Sequence, residues 1–183
     1  MIRRVFLAWG LMLPGISRRV WACPEPGRGA QLPSAPVRYA PLTAPVRIPL
    51  EAVKAPWRPV AFKAEAVAPP AGTTPARRVL LSGVLFRRVT MDERPELSAL
   101  CVTCTHEQCQ VDFIAEPTNL PRTDRVMVHP VFLCACHSSV FDALNDGEWV
   151  AGPAPRGLYR FHMRVEADAV EIDEVEEDAL SAV

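Results

Sequence analysis

The chain has 183 residues, with 20 Lys and Arg against 21 Asp and Glu, for a formal net charge of −1 at pH 7. That length holds one domain plus extensions, and the near-balance of charge gives no electrostatic case for a nucleic-acid partner. Nineteen prolines predict little helix and many turns, and six cysteines in a chain of this size point to metal binding before a disulfide scaffold.

From the N-terminus, Met1-Ile2-Arg3-Arg4-Val5-Phe6-Leu7 leads into an apolar run that reaches Ile16 and is interrupted by Pro14. Basic residues ahead of a short apolar run are the layout of an export signal. Arg3-Arg4-x-Phe6-Leu7 resembles the twin-arginine form, which carries folded proteins. The run is shorter than the roughly 20 residues of a membrane span, so residues 1–23 read as an export signal or membrane anchor. Cleavage after Ala22 would expose Cys23 as a lipidation site. Residues 24–45 are rich in Pro, Gly, Ala and Arg without apolar periodicity, which predicts an extended, semi-rigid tether.

From Val46 the pattern changes to short apolar runs bounded by Pro and Gly. These predict strands over Val46–Leu50, Val60–Val67, Arg78–Arg88, Leu97–Val102, Val126–Leu133, Leu158–Glu166 and Ala169–Ile172. The clearest alternation sets Tyr159, Phe161, Met163 and Val165 against Arg160, His162, Arg164 and Glu166. No stretch has helical periodicity of useful length, so the fold class is all-β, built of short antiparallel strands. Arg77-Arg78 and Arg87-Arg88 read as solvated charge at strand ends, and His129 and His162 as satisfied or solvated side chains. Pro117, Asn119, Pro121 and Asp124 predict a surface loop. The acidic run Asp173–Asp178 reads as a solvated, frayed end, with residues 176–183 as an acidic tail.

Two short stretches carry the chemistry: Cys104-Thr105-His106-Glu107-Gln108-Cys109 and Cys134-Ala135-Cys136-His137-Ser138-Ser139. Each offers a thiol and an imidazole, as Cys-x-His in the first and Cys-x-x-His in the second, with a further cysteine beside them. Two Cys and two His at such spacings suit a [2Fe–2S] centre in which histidines replace thiolates on one iron.

With Gly152-Pro153-Ala154-Pro155 following in order, these stretches resemble the Rieske iron–sulfur proteins of cytochrome bc complexes, over roughly residues 46–175. The resemblance implies a Rieske-type antiparallel β-sandwich with a small cluster-binding subdomain whose loops span residues 101–155. It implies one [2Fe–2S] cluster, with Cys104 and Cys134 on the inner iron and His106 and His137 on the outer. The two histidines would couple proton transfer to redox change and contact quinol. Cys109 and Cys136 match the disulfide pair of the respiratory type, and such bonds persist in oxidising compartments. Ser139 matches a serine that bonds a bridging sulfide, and Phe141, Gly152 and Pro153 lie around the cluster. The implied protein is a redox subunit of a quinol:cytochrome c oxidoreductase. Its partners would be a membrane cytochrome b-type subunit, quinol and a cytochrome c-type acceptor. Its implied place is the cell membrane, with the cluster domain on the periplasmic side.

Several positions depart from that pattern. Glu107 and Gln108 stand where the resembled proteins usually have Leu and Gly, Ser138 replaces a Gly, and Ala135 a Pro. A carboxylate at the docking tip is costly to bury unpaired. Phe141 stands where a Tyr hydroxyl often bonds a cluster thiolate. Two other readings fit parts of the sequence. One is the Rieske small subunit of a periplasmic molybdenum oxidase. The other is a structural zinc site of Cys101, Cys104, Cys134 and His137. A catalytic Cys/His pair lacks a third orienting group, and Cys101 reads as a buried free thiol.

Overall fold

A computed structural model describes residues 36–90 and 92–181; the expected export signal and the tether up to residue 35 lie outside the described residues. The strands are β1 (Tyr39–Pro49), β2 (Val60–Ala68), β3 (Arg77–Val89), β4 (Pro95–Cys101), β5 (Asp112–Ile114), β6 (Val131–Cys134), β7 (Ser139–Asp142), β8 (Glu148–Ala151), β9 (Phe161–Val165) and β10 (Ala169–Glu176). A 3-10 turn covers Leu50–Val53, and a single helical turn, α1, covers Asp178–Ser181.

Six strands form an antiparallel sheet in the order β4-β3-β2-β1-β10-β9, and β5-β6-β7-β8 form a second, smaller one. The large sheet curls until its ends nearly meet. Leu100 bridges Arg160, and the Cys101 N–H donates to the Tyr159 carbonyl at 2.8 Å. The period-2 pattern of β2 puts Phe62, Ala64, Ala66 and Ala68 inside, facing Val79, Leu81, Ile172 and Val175 in one core. β1 enters against the last strand, with Tyr39 opposite Glu176.

The second half of β3 and the end of β4 break the alternation, because both of their faces are covered. Leu85, Ala99 and Cys101 point into the barrel-like core. Val84, Phe86, Leu100 and Val102 point the other way, into a second core shared with Phe132, Phe141, Cys104 and Cys134. Strands buried on both faces read as continuous apolar runs, which is what Gly83-Val84-Leu85-Phe86 and Leu97-Ser98-Ala99-Leu100-Cys101-Val102 are. Phe86 centres the joint, with ring centroids at 6.2 Å from Trp57, 6.0 Å from Phe113 and 5.8 Å from Phe132. Gly83 lets the strands approach, since a Cβ there would enter the Phe62 ring, which is itself held edge-on by Phe161 at 5.0 Å.

The fold is all-β, as expected, and three of the seven expected strands match within about two residues at each end. Other readings are corrected. Residues 39–45 belong to β1 and not to the tether, because β10 pairs with Tyr39, Ala40 and Pro41 on one side and β2 with Leu42 on the other. Val126–Pro130 joins no strand ladder, with Val126 and Val128 87% exposed, so only Val131–Cys134 of that stretch is strand. Conversely, β10 runs on through the acidic stretch to Glu176, which is 1% exposed, not frayed. The strand expected to begin at Leu158 begins at Phe161. Arg87 and Arg88 are not simply solvated: Arg87 Nε donates to the Val53 carbonyl at 2.9 Å, and Arg88 pairs with Glu96 at 2.8 Å. No described helix is long and apolar enough to cross a membrane.

Gly83→Ala is expected to destabilise the fold by about 1–3 kcal/mol, the usual cost of overpacking a tight core. Urea unfolding measures it, and a loss below about 0.5 kcal/mol would show that the Phe62 ring can move aside.

Candidate metal centre

The end of β4 delivers the first cysteine–histidine loop, the β6–β7 hairpin delivers the second, and the chain after β8 delivers the third. The first two loops are the same turn made twice. The Gln108 N–H donates to the Cys104 carbonyl at 3.0 Å, and the Ser138 N–H donates to the Cys134 carbonyl at 2.9 Å. Each closes a five-residue turn, and each puts its donor in the left-handed region, at φ 60 for both Gln108 and Ser138. These are two of the positions where the sequence departs from the usual glycine. A non-glycine residue there costs about 1–2 kcal/mol.

The turns fix opposite fates for the four nearby sulfurs. Cys104 and Cys134 are free thiols, each 1% exposed. Cys109 and Cys136 are joined as a disulfide that ties one loop to the other. His106 and His137 stand together at the rim, ring centroids 4.8 Å apart and nearly perpendicular. His106 Nδ1 is buried with no hydrogen-bond partner. Its Nε2 lies 3.9 Å from Glu107 Oε1, and His137 Nε2 lies 3.7 Å from Glu107 Oε2. Buried polar nitrogens in proteins are almost always bonded, so this one is aimed at something other than protein.

The third loop braces the other two. Gly152 sits at φ 91, and a Cβ there would lie 2.5 Å from Ser139 Cα. The Ala154 N–H donates to Ser139 Oγ at 3.2 Å, which leaves the Ser139 hydroxyl proton free to face the Cys104 sulfur. Trp149 Nε1–H donates to the Gly152 carbonyl at 3.1 Å. Thr105 Oγ1 donates to the Arg156 carbonyl at 2.8 Å, and the Arg156 guanidinium bonds the buried Glu176 carboxylate and lies over the Tyr159 ring. Pro153 and Pro155 stay exposed. Phe141 is fully buried in the core that also holds Cys104 and Cys134.

Burial pushes the Cys104 thiol above its ordinary pKa. The His106 backbone N–H and the Ser139 hydroxyl oppose that shift, since both favour the thiolate. Metal binding needs the thiolate, so loading this site releases protons.

A match to the Rieske [2Fe-2S] domain spans residues 58–162, more than half of the chain. The chain belongs to the Rieske family. No curated protein matches it in sequence. The Rieske domain is an iron–sulfur electron-transfer module and binds a single [2Fe–2S] cluster. The residues here fit that group: two buried free thiols, two adjacent imidazoles and one inward ring nitrogen without a protein partner. The zinc alternative does not fit, because Cys101 packs in the barrel-like core while Cys104 and Cys134 pack in the second core.

The structure joins the two ligand loops through their disulfide, sets Ser139 against Gly152 and puts Phe141 in the core that holds Cys104 and Cys134, while Pro153 stays exposed. Sequence reasoning does not single out Thr105, Trp149 or Arg156. Thr105 meets Arg156 across 51 positions, and no local pattern signals such a contact.

Gln108→Gly and Ser138→Gly are each expected to raise stability by about 0.5–1 kcal/mol, once glycine's greater unfolded-state freedom is deducted from the relief of strain. Urea unfolding of the cluster-loaded protein measures this, and a loss of stability in either variant contradicts the left-handed turn.

Proposed function

We propose that this protein is the electron-transfer subunit of a quinol-oxidising complex of the cytochrome bc type. In it, Cys104 and Cys134 hold one iron, and His106 and His137 the other. The observation that carries this reading is the Cys109–Cys136 disulfide, which locks the two ligand loops together. The disulfide pair and the Gly152-Pro153-Ala154-Pro155 loop together mark the respiratory type among the proteins this sequence resembles. Disulfides also persist where export would deliver the domain, on the periplasmic side of the cell membrane. There it would meet a membrane cytochrome b-type subunit and quinol, and pass electrons to a cytochrome c-type acceptor.

When bound, the cluster takes up and returns one electron, at a potential raised by two neutral imidazoles in place of two thiolates. The chain supplies the rest. Cys104 and Cys134 are sealed from water by Val84, Phe132 and Phe141. The Ser139 hydroxyl favours negative charge on the Cys104 sulfur, as polar groups around metal ligands do. His137 and, less openly, His106 present ring edges at the surface, with side chains 43% and 27% exposed. Nε2 is the atom at which each can give a hydrogen bond or a proton to a quinol oxygen. A second reading, the small subunit of a periplasmic molybdenum oxidase, is favoured by one observation. Glu107 puts a carboxylate where an apolar docking tip is usual.

Membranes from cells lacking the protein are expected to lose quinol-dependent reduction of cytochrome c. Wild-type protein should restore it, and His137→Ala should restore neither the activity nor the Rieske signal in electron paramagnetic resonance. Unchanged quinol-dependent reduction, with loss of a molybdenum-oxidase activity instead, selects the second reading.

Phe141 keeps an aromatic ring beside the thiolates without a hydroxyl donor. A hydrogen bond to a charged group contributes about 1.5–3 kcal/mol, and only its difference between redox states moves the potential. Phe141→Tyr is therefore expected to raise the midpoint by a few tens of millivolts, about 1 kcal/mol for a one-electron couple, and Ser139→Ala to lower it by a similar step or more. Protein-film voltammetry measures both, and an unmoved midpoint in either refutes the hydrogen-bond account.

A further inference from the structure

We infer that Arg156, clamped by the buried Glu176 carboxylate, is a positioning residue for the first ligand loop, acting through its backbone carbonyl on Thr105. It rests on the reading in which Cys104 and His106 hold iron, since Thr105 lies between them.

Three elements meet at Arg156. Its own backbone ends the third loop, directly after Pro155. Its carbonyl accepts the Thr105 hydroxyl at 2.8 Å, and Thr105 is 9% exposed. Its guanidinium bonds Glu176 at the end of β10 and Asp178 at 3.0 Å, and it lies 4.8 Å over the Tyr159 ring. Other bonds of the first loop stay nearer home. The Cys104 N–H donates to the Cys109 carbonyl at 2.7 Å and the Gln108 N–H to the Cys104 carbonyl at 3.0 Å, both inside the loop. The disulfide leads to the second loop. The Thr105 hydroxyl leads, through Arg156, to the barrel.

Stability alone is a weak account of the Arg156–Glu176 pair. Exchanging a buried ion pair for apolar side chains of similar volume is often neutral, and the best-attested use of such pairs is to fix registry. The second carboxylate oxygen of Glu176 has no hydrogen bond among the described residues and stands 3.6 Å from Arg160 Nε. The carboxylate therefore gives its hydrogen bond to Arg156 and does not share it with Arg160. What the clamp sets is the His106 backbone, whose N–H favours negative charge on the Cys104 sulfur. A reduced cluster is one charge more negative than an oxidised one. Once Thr105 is unpinned this N–H is no longer held to the sulfur, the reduced state loses more than the oxidised, and the midpoint falls.

The test uses the full chain with its cluster loaded, its reduced electron paramagnetic resonance signal being recorded first. Thr105→Val removes the hydroxyl at nearly constant volume. Arg156→Lys keeps the charge and removes the planar fork that bonds and stacks. Protein-film voltammetry is expected to place both midpoints below wild type. For Thr105→Val the electron-exchange equilibrium should move roughly threefold, about 30 mV at 59 mV per tenfold. Arg156→Lys should add nothing further in the double variant, because changes along one chain of contacts do not sum. Arg164→Lys, at an exposed arginine paired with Glu171 and Asp173, should match wild type. Urea unfolding is run alongside, and where Arg156→Lys does not fold, Glu176→Gln takes its place. A midpoint unmoved in the Arg156 or Glu176 variant while stability drops shows a purely structural pair and overturns the role, as do shifts that add in the double variant. A wild type that never shows the cluster signal refutes the ligand assignment instead, and that is seen before any variant is compared.

Discussion

Everything about the site depends on a few residues of β3 and β4 being buried from both sides. Leu85, Ala99 and Cys101 belong to the barrel-like core, while Val84, Phe86, Leu100 and Val102 belong to the core behind the metal ligands. The same backbone therefore serves as wall to two compartments. Burial of each large apolar side chain is worth about 1.5–3 kcal/mol, so the two cores are stabilised together and neither is a free appendage. Cys104 follows two residues after this shared wall, which gives the first ligand loop a fixed origin.

From that origin the loops are held by geometry more than by side-chain identity. The five-residue turn recurs at Cys104–Gln108 and Cys134–Ser138 with unlike residues in the left-handed position. Both pay for that conformation with strain, offset by the disulfide and by the third loop pressed against Ser139. Functional loops commonly hold such strain because their surroundings over-determine them. The thiols are dry, the imidazoles wet, and the difference comes from placement along one turn: cysteine at its buried root, histidine at its rim.

The metal centre was highly legible in the sequence because its residues cluster within short spacings that few other chemistries require. The all-β class was legible for a similar reason, since alternation in Phe62–Ala68 and Phe161–Val165 is local information. What escaped is long-range. β5, β7 and β8 are three or four residues each, too short for a period to register, and exist because they pair with β6 and with one another. The acidic end looked solvated, since nothing near Glu176 in sequence says that Arg156 and Arg160 lie over it. Exposed Val126 and Val128 looked like strand, because apolar composition does not reveal whether a neighbouring ladder has a free edge.

The burial of Glu176 also makes the molecule mechanically continuous. The residues ahead of Tyr39 join the fold at the start of β1, where Tyr39 lies opposite Glu176 and the Glu177 N–H donates to the Arg38 carbonyl at 2.9 Å. Glu176 grips Arg156, and the Arg156 carbonyl takes the Thr105 hydroxyl, one residue from both Cys104 and His106. The entry strand and the histidine rim are thus joined by three hydrogen-bonded links, so a force reaching Arg38 passes to the rim through bonds and not through an unbraced loop.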